Sequence, residues 1–165
     1  MTAGGVVVQA ATVAELPAIL RLAGEVEHWF GPMVDNPGFH RAVEEHIADE
    51  RALVAFAPER EPAGAILFGG SSPTFAVHWL VVSDGVRGQG VGRRLMDAAL
   101  DRLTGGSGLG AGEAVEVTTF GVDHPGAINS GARVFYERLG FSRAERAPDG
   151  PEGGSRQLFR LTGGS

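Results

Sequence analysis

The chain has 165 residues, 43% of them hydrophobic, and a formal net charge of −6, which fits one domain with a sizeable core and argues against nucleic acid, whose binding rests on clustered cations. There is no cysteine, and all 14 basic residues are arginines, so disulfides, thiolate metal sites, Schiff-base chemistry, the lysine-dependent Walker phosphate loop and modification of the protein's own lysines are excluded. No run approaches the roughly 18 apolar residues of a membrane span and no basic-then-apolar signal opens the chain, so a soluble, cytoplasmic protein without membrane contact is the expectation.

Val6-Val7-Val8 reads as a first strand, and Thr12 followed by Glu15 is a capping box opening a helix from about Val13 to Ala23. Glu25 to Phe39 is irregular, with Gly31-Pro32 and Asn36-Pro37 breaking any helix. A second helix follows from about Gly38 to Glu50, with Phe39, Ala42, Val43 and Ile47 on its apolar side. Ala52–Ala57 and Ala63–Phe68 read as a strand hairpin, and Val77–Val82 as the next strand. After a glycine loop comes a helix to about Leu103. Thr104 to Gly112 reads as a mobile Gly-rich linker. Strand Ala114–Phe120, a loop Gly121–Gly126, a helix from about Ala127 to Leu139, and strands near Phe141–Arg146 and Arg156–Leu161 complete a mixed α/β layer sandwich without internal repeats.

The glycine loop is Arg87-Gly88-Gln89-Gly90-Val91-Gly92, set between a strand and a helix beginning near Arg93. Its glycines let the backbone turn sharply and aim successive N–H groups at one point, where the helix adds the positive end of its dipole. A phosphate or pyrophosphate fits there, with Arg87, Arg93 and Arg94 as its cations. The bland alternative is a strand-to-helix loop whose glycines serve packing and whose arginines face water.

The order of elements, with two motifs, resembles the GCN5-related N-acetyltransferases (GNAT). Arg87, Gly90 and Gly92 fill the family's glycine signature, and Asn129, Ala132, Tyr136 and Gly140-Phe141 fall at the spacings of its helix that ends in Tyr, three residues, Gly-Phe. The resemblance implies a single domain over residues 1–165, its core about 6–161. It implies a GNAT-like mixed α/β fold: a central, mostly antiparallel sheet of six to seven strands, splayed between strands 4 and 5 and flanked by about four helices. It further implies transfer of an acetyl group from acetyl-CoA to a primary amine in a ternary complex, and it leaves a homodimer possible.

On that resemblance the backbone of Leu80, Val81 and Val82 would hold the pantetheine arm, the N–H groups of Arg87, Gly88, Gln89, Gly90, Val91, Gly92 and Arg93 the pyrophosphate, and Asn129 the pantetheine amides. Tyr136, the only tyrosine, would act as general acid to the departing thiolate, its alternative being a partly buried helix aromatic flanked by Val134, Phe135 and Leu139; Asn129 by position alone is equally a helix cap or turn residue. The general base stays open among His78, Glu116, Asp123, His124 and water. A histidine ordinarily titrates near neutrality, which suits a base, and period-2 alternation puts His78 on one face with Val82. Glu27, Asp35, Trp29 and Phe30 are candidates for lining the acceptor site, against a solvated helix end. No metal-ligand spacing occurs, so no metal is expected. The acceptor is expected to be a small-molecule amine; the alternatives are a protein or peptide amine and an acyl-CoA sensor without catalysis. A Rossmann-type nucleotide protein fits poorly, because the glycine loop follows the fourth strand and no acidic residue ends a strand about 20 residues later.

Overall fold

The computed structural model describes residues 6–25, 34–57, 62–83, 90–120, 132–148 and 156–163. Strand β1 spans Val7–Ala10, and the capping box forms behind it: the Glu15 carboxylate accepts the Thr12 N–H at 2.7 Å and the Thr12 hydroxyl accepts the Ala14 N–H at 3.2 Å. The first turn, Val13–Glu15, is 3₁₀ rather than α, and α1 follows over Leu16–Gly24. Asn36-Pro37 starts the next helix instead of breaking one. Asn36 Oδ1 accepts the N–H groups of Gly38 and Phe39, and Pro37 occupies the first turn of α2, Pro37–Ala48, where its missing N–H is no loss.

Strands β2 (Ala52–Phe56), β3 (Pro62–Ser71), β4 (Thr74–Val82), β5 (Ala114–Phe120), β6 (Ser142–Ala147) and β7 (Arg156–Thr162) complete the sheet. Helix α3 spans Val91–Thr104 and α4 spans Ala132–Arg138. The seven strands run in the order β1-β2-β3-β4-β5-β7-β6. Every pairing is antiparallel except β4 with β5, which is parallel. β3 and β4 exceed their apolar runs because they pair as a hairpin back to Ser71 and Thr74. The Gly-rich 104–112 segment, read from composition as a mobile linker, is held by hydrogen bonds: Ser107 Oγ donates to the Thr104 carbonyl and Glu113 accepts the Gly110 N–H.

The sheet separates two cores. On one face α3 and α4 bury Leu95, Met96, Ala99 and Tyr136 against Ile66, Phe68, Val77, Val117 and Phe159. On the other, α1 and α2 bury Ile19, Leu22 and Val43 against Val54, Ala65, Leu67 and Val81.

Candidate active site

β4 is paired with β3 from Thr74 to Val82, His78 excepted, but meets β5 only over four residues, from Thr74↔Ala114 to Val77↔Val117. Beyond Val77 the two strands part. β5 continues through Thr118, Thr119 and Phe120 with its other edge held by β7, so among the described residues the facing edges of His78–Val81 and Thr118–Phe120 have no strand partner. Unpaired backbone N–H and C=O groups of this kind are ready hydrogen-bonding sites for an extended ligand.

His78 stands where the strands separate, and it is a bulge residue. Leu67 pairs with Trp79 while Phe68 pairs with Val77, leaving His78 with no opposite number. The extra residue reverses the alternation: Phe75 and Val77 lie in the α3/α4 core and Leu80 and Val82 pack against it, whereas Val81 lies in the α1/α2 core, with Trp79 packed beside it. Simple period-2 alternation therefore fails across this strand. His78 does not share a face with Val82; it points to the α2 side, where its Nδ1 lies 2.7 Å from Nε2 of His46. Partial desolvation against α2, and secondarily the electrostatic influence of the neighbouring His46, hold the His78 imidazole below its ordinary value of 6.5.

Tyr136 is on the opposite face. It projects from α4 into the core, with the rings of Phe135, Phe141 and Phe159 at 5.1, 5.5 and 6.1 Å. Loss of solvation alone pushes its phenol well above the ordinary 10, so the group stays protonated near neutral pH. The two candidate catalytic side chains thus lie on opposite sides of the sheet, and the parting of β4 from β5 opens the sheet between those sides.

Gly90 caps α3 in the left-handed conformation, φ 81°, and among the described residues a side chain there would meet nothing within 4 Å. Its lack of a side chain serves backbone conformation. Gly92 serves packing instead, since a Cβ there would come within 2.8 Å of the Phe135 ring. Val91 and Gly92 are buried, while Arg93 and Arg94 in the first turn are exposed. Arg87, Gly88, Gln89, Asp123, His124 and Asn129, and Glu27, Trp29 and Phe30, lie outside the described residues.

Glu116 sits within the paired part of β5, opposite Ala76, and its carboxylate accepts Arg160 Nε at 2.8 Å. That ion pair sets it apart from the opening. Asp35 is exposed just before α2. On the α1/α2 side the structure assembles contacts that no spacing announces: Phe39 packs edge-on against Trp79 at 5.3 Å, and the Ser83 hydroxyl donates to Glu25 at 3.3 Å. Their partners are dozens of residues apart in sequence, so only the register of β4 against α1 and α2 brings them together. Among the described residues no group of three or more His, Cys, Asp or Glu side chains is arranged to hold a metal.

Residues 48–143 match the family described as the acetyltransferase (GNAT) domain. No curated protein matches the sequence. Ard1 from Thermoplasma volcanium is 16% identical with a TM-score of 0.73, covering 97% of this chain and 99% of its own. The PaiA N-acetyltransferase from Thermoplasma acidophilum, solved with coenzyme A, is 15% identical with a TM-score of 0.70, covering 98% and 99%. A chain of the NatC complex bound to Gag peptide and CoA is 18% identical, also with a TM-score of 0.70, covering 95% and 98%. These likenesses speak to the fold. The parallel β4–β5 pair that parts midway, the glycine-headed α3 beside it and the match across more than half the sequence lead to one assignment: the chain belongs to the GNAT family of acetyltransferases.

Proposed function

We propose that this N-acetyltransferase moves the acetyl group of acetyl-CoA to a primary amine of a small molecule by direct attack in a ternary complex. The observation that carries the reading is the parting of β4 from β5 immediately after Val77 and Val117. It supports seating of the thioester in the opening, where both faces of the sheet can reach it. Fit to CoA rests on the same place: the backbone of Leu80, Val81 and Val82 lies along the edge where β4 leaves β5 and would take the pantetheine amides, with Asn129 as a further partner. The N–H groups from Gly90 to Arg93, continued by Arg87, Gly88 and Gln89, would take the pyrophosphate.

The reaction consumes an ammonium and a thioester and yields an amide, a thiol and one proton. His78, on the α2 side, takes the ammonium proton at its imidazole. The amine nitrogen then forms its bond to the acetyl carbon, a backbone N–H near Leu80 or Val81 stabilises the oxyanion, and the C–S bond breaks. Tyr136, on the other side, gives its proton to the departing sulfur and recovers one from the nitrogen or from water. Glu25, Phe39 and Trp79 would border the amine, an acidic and aromatic surround suited to a cation.

The test is calorimetric titration with acetyl-CoA, CoA, NAD and ATP, followed by thiol release with a panel of small amines and of peptides. Binding of the two CoA species alone, with thiol release by small amines, is expected. Release only with peptides would move the acceptor to the class carried by the NatC-like chain, and CoA binding without release by any amine would leave an acyl-CoA-binding module.

A further inference from the structure

Between α2 and the β4 bulge lies a hydrogen-bonded pair of histidines whose direction can be worked out from its far end. His46 Nδ1 is 2.6 Å from the carbonyl oxygen of Ala42. A carbonyl only accepts, so that nitrogen carries a proton. In the uncharged His46 ring Nε2 is therefore a lone pair. It faces Nδ1 of His78 at 2.7 Å, so the His78 proton sits on Nδ1 and the His78 lone pair is left on Nε2. A free imidazole in water favours the opposite tautomer, with its proton on Nε2. The contact with His46 reverses that preference.

A second feature holds the same ring. Gly69 on β3 has no left-handed backbone demand, yet a Cβ there would stand 2.9 Å from Cε1, 3.6 Å from Nε2 and 3.7 Å from Nδ1 of His78. The absence of a side chain at 69 makes the space the imidazole occupies. The two rings meet edge to face, centroids 5.0 Å apart at 79°, while His78 itself stays exposed to solvent and so within reach of an acceptor.

We propose that His46 is a positioning residue for His78: anchored through Ala42, it accepts the Nδ1 proton of His78 and presents Nε2 as the basic atom, with Gly69 clearing the place of the ring. The role in turnover rests on His78 being the general base. When Nε2 takes a proton from the ammonium, the resulting imidazolium keeps its Nδ1–H bonded to His46, which spreads the positive charge over two rings without a second proton being taken up. The lowered proton affinity of His78 agrees with a ring that stays neutral and ready between turnovers.

The experiment is nitrogen-15 NMR of histidine-labelled protein, which reads tautomers directly, with His78→Asn identifying the His78 signals. Wild type is expected to show His78 protonated at Nδ1 and bare at Nε2. His46→Ala should shift His78 toward the Nε2-protonated form and lower kcat about tenfold with KM for acetyl-CoA unchanged, whereas His46→Gln, whose side-chain oxygen can accept the same proton, should recover most of both. A wild-type His78 protonated at Nε2, or a tautomer indifferent to His46→Ala, overturns the proposal; the first needs no variant to fold. A tautomer that switches while both His46→Ala and His78→Asn turn over normally supports the pair and overturns the general-base assignment instead.

Discussion

Tyr136 and His78 respond to burial with opposite signs for the same reason: removal from water disfavours whichever form is charged. The phenol is pushed up and stays a proton donor; the imidazole is pulled below 6.5 and stays a proton acceptor. Tyr136→Phe is expected to lower kcat by about 10² or more, as loss of a general acid does, while calorimetry gives an unchanged affinity for CoA; a loss of CoA affinity alone would make the tyrosine a binding residue. The His78 shift also fixes a sign. The unfolded chain takes up the proton near 6.5 and the folded chain only at lower pH, so this group's contribution to stability is fully present above 6.5 and is lost as pH falls through that value and below. Thermal unfolding followed between pH 7.5 and 5 should show the decline, with a shallower slope in His78→Asn. The acid limb of kcat/KM should likewise lie below 6.5.

At the scale of elements, what matters is how closely they approach. α3 and α4 meet where Gly92 faces the Phe135 ring and Val82 Cγ2 lies 3.4 Å from the place of a Cβ. Gly92→Val would drive Phe135, and with it the neighbouring Tyr136, away from α3. It is expected to destabilise by about 1–3 kcal/mol in urea unfolding, the range for an overpacked core, and to lower turnover more than Gly92→Ala does. Equal turnover in the two variants would show that α4 does not need this approach. The capping box before α1 and the Tyr136 to Gly140-Phe141 spacing at the end of α4 were legible because they depend on residues three to five apart. The start of α2 near Gly38 was legible for the same reason, and Asn36-Pro37, read as a helix breaker, proves to be its cap and first turn, since a pair that stops one helix can start the next.

For the whole molecule, Phe159 joins the two halves of the sheet. It pairs across β7 with Val117, the last β5 residue that β4 still reaches; its ring is fully buried, tilted against Tyr136 and covered by the Arg133 guanidinium at 5.1 Å. Phe159→Ala is expected to reduce unfolding free energy by about 3–5 kcal/mol, the range for deleting a buried aromatic. Denaturant titration measures it, and a loss below about 1 kcal/mol would mean that the core closes over the gap.

Sequence alone determined the sheet's composition, the glycine-headed helix and the order of elements, because apolar periods, caps and turn residues act over a few positions. It also named Tyr136 and His78 as candidates for the chemistry, whose roles the proposed variants test. Tertiary structure alone decided which way His78 points. One unpaired bulge residue inverts a strand's alternation, and a bulge depends on the register against β3, not on the strand's own residues. The same holds for the pairing of His46 with His78 across 32 positions, for Glu116 being tied to Arg160, and for the point at which β4 leaves β5: each follows from packing among elements distant in the chain, about which local sequence patterns carry no information.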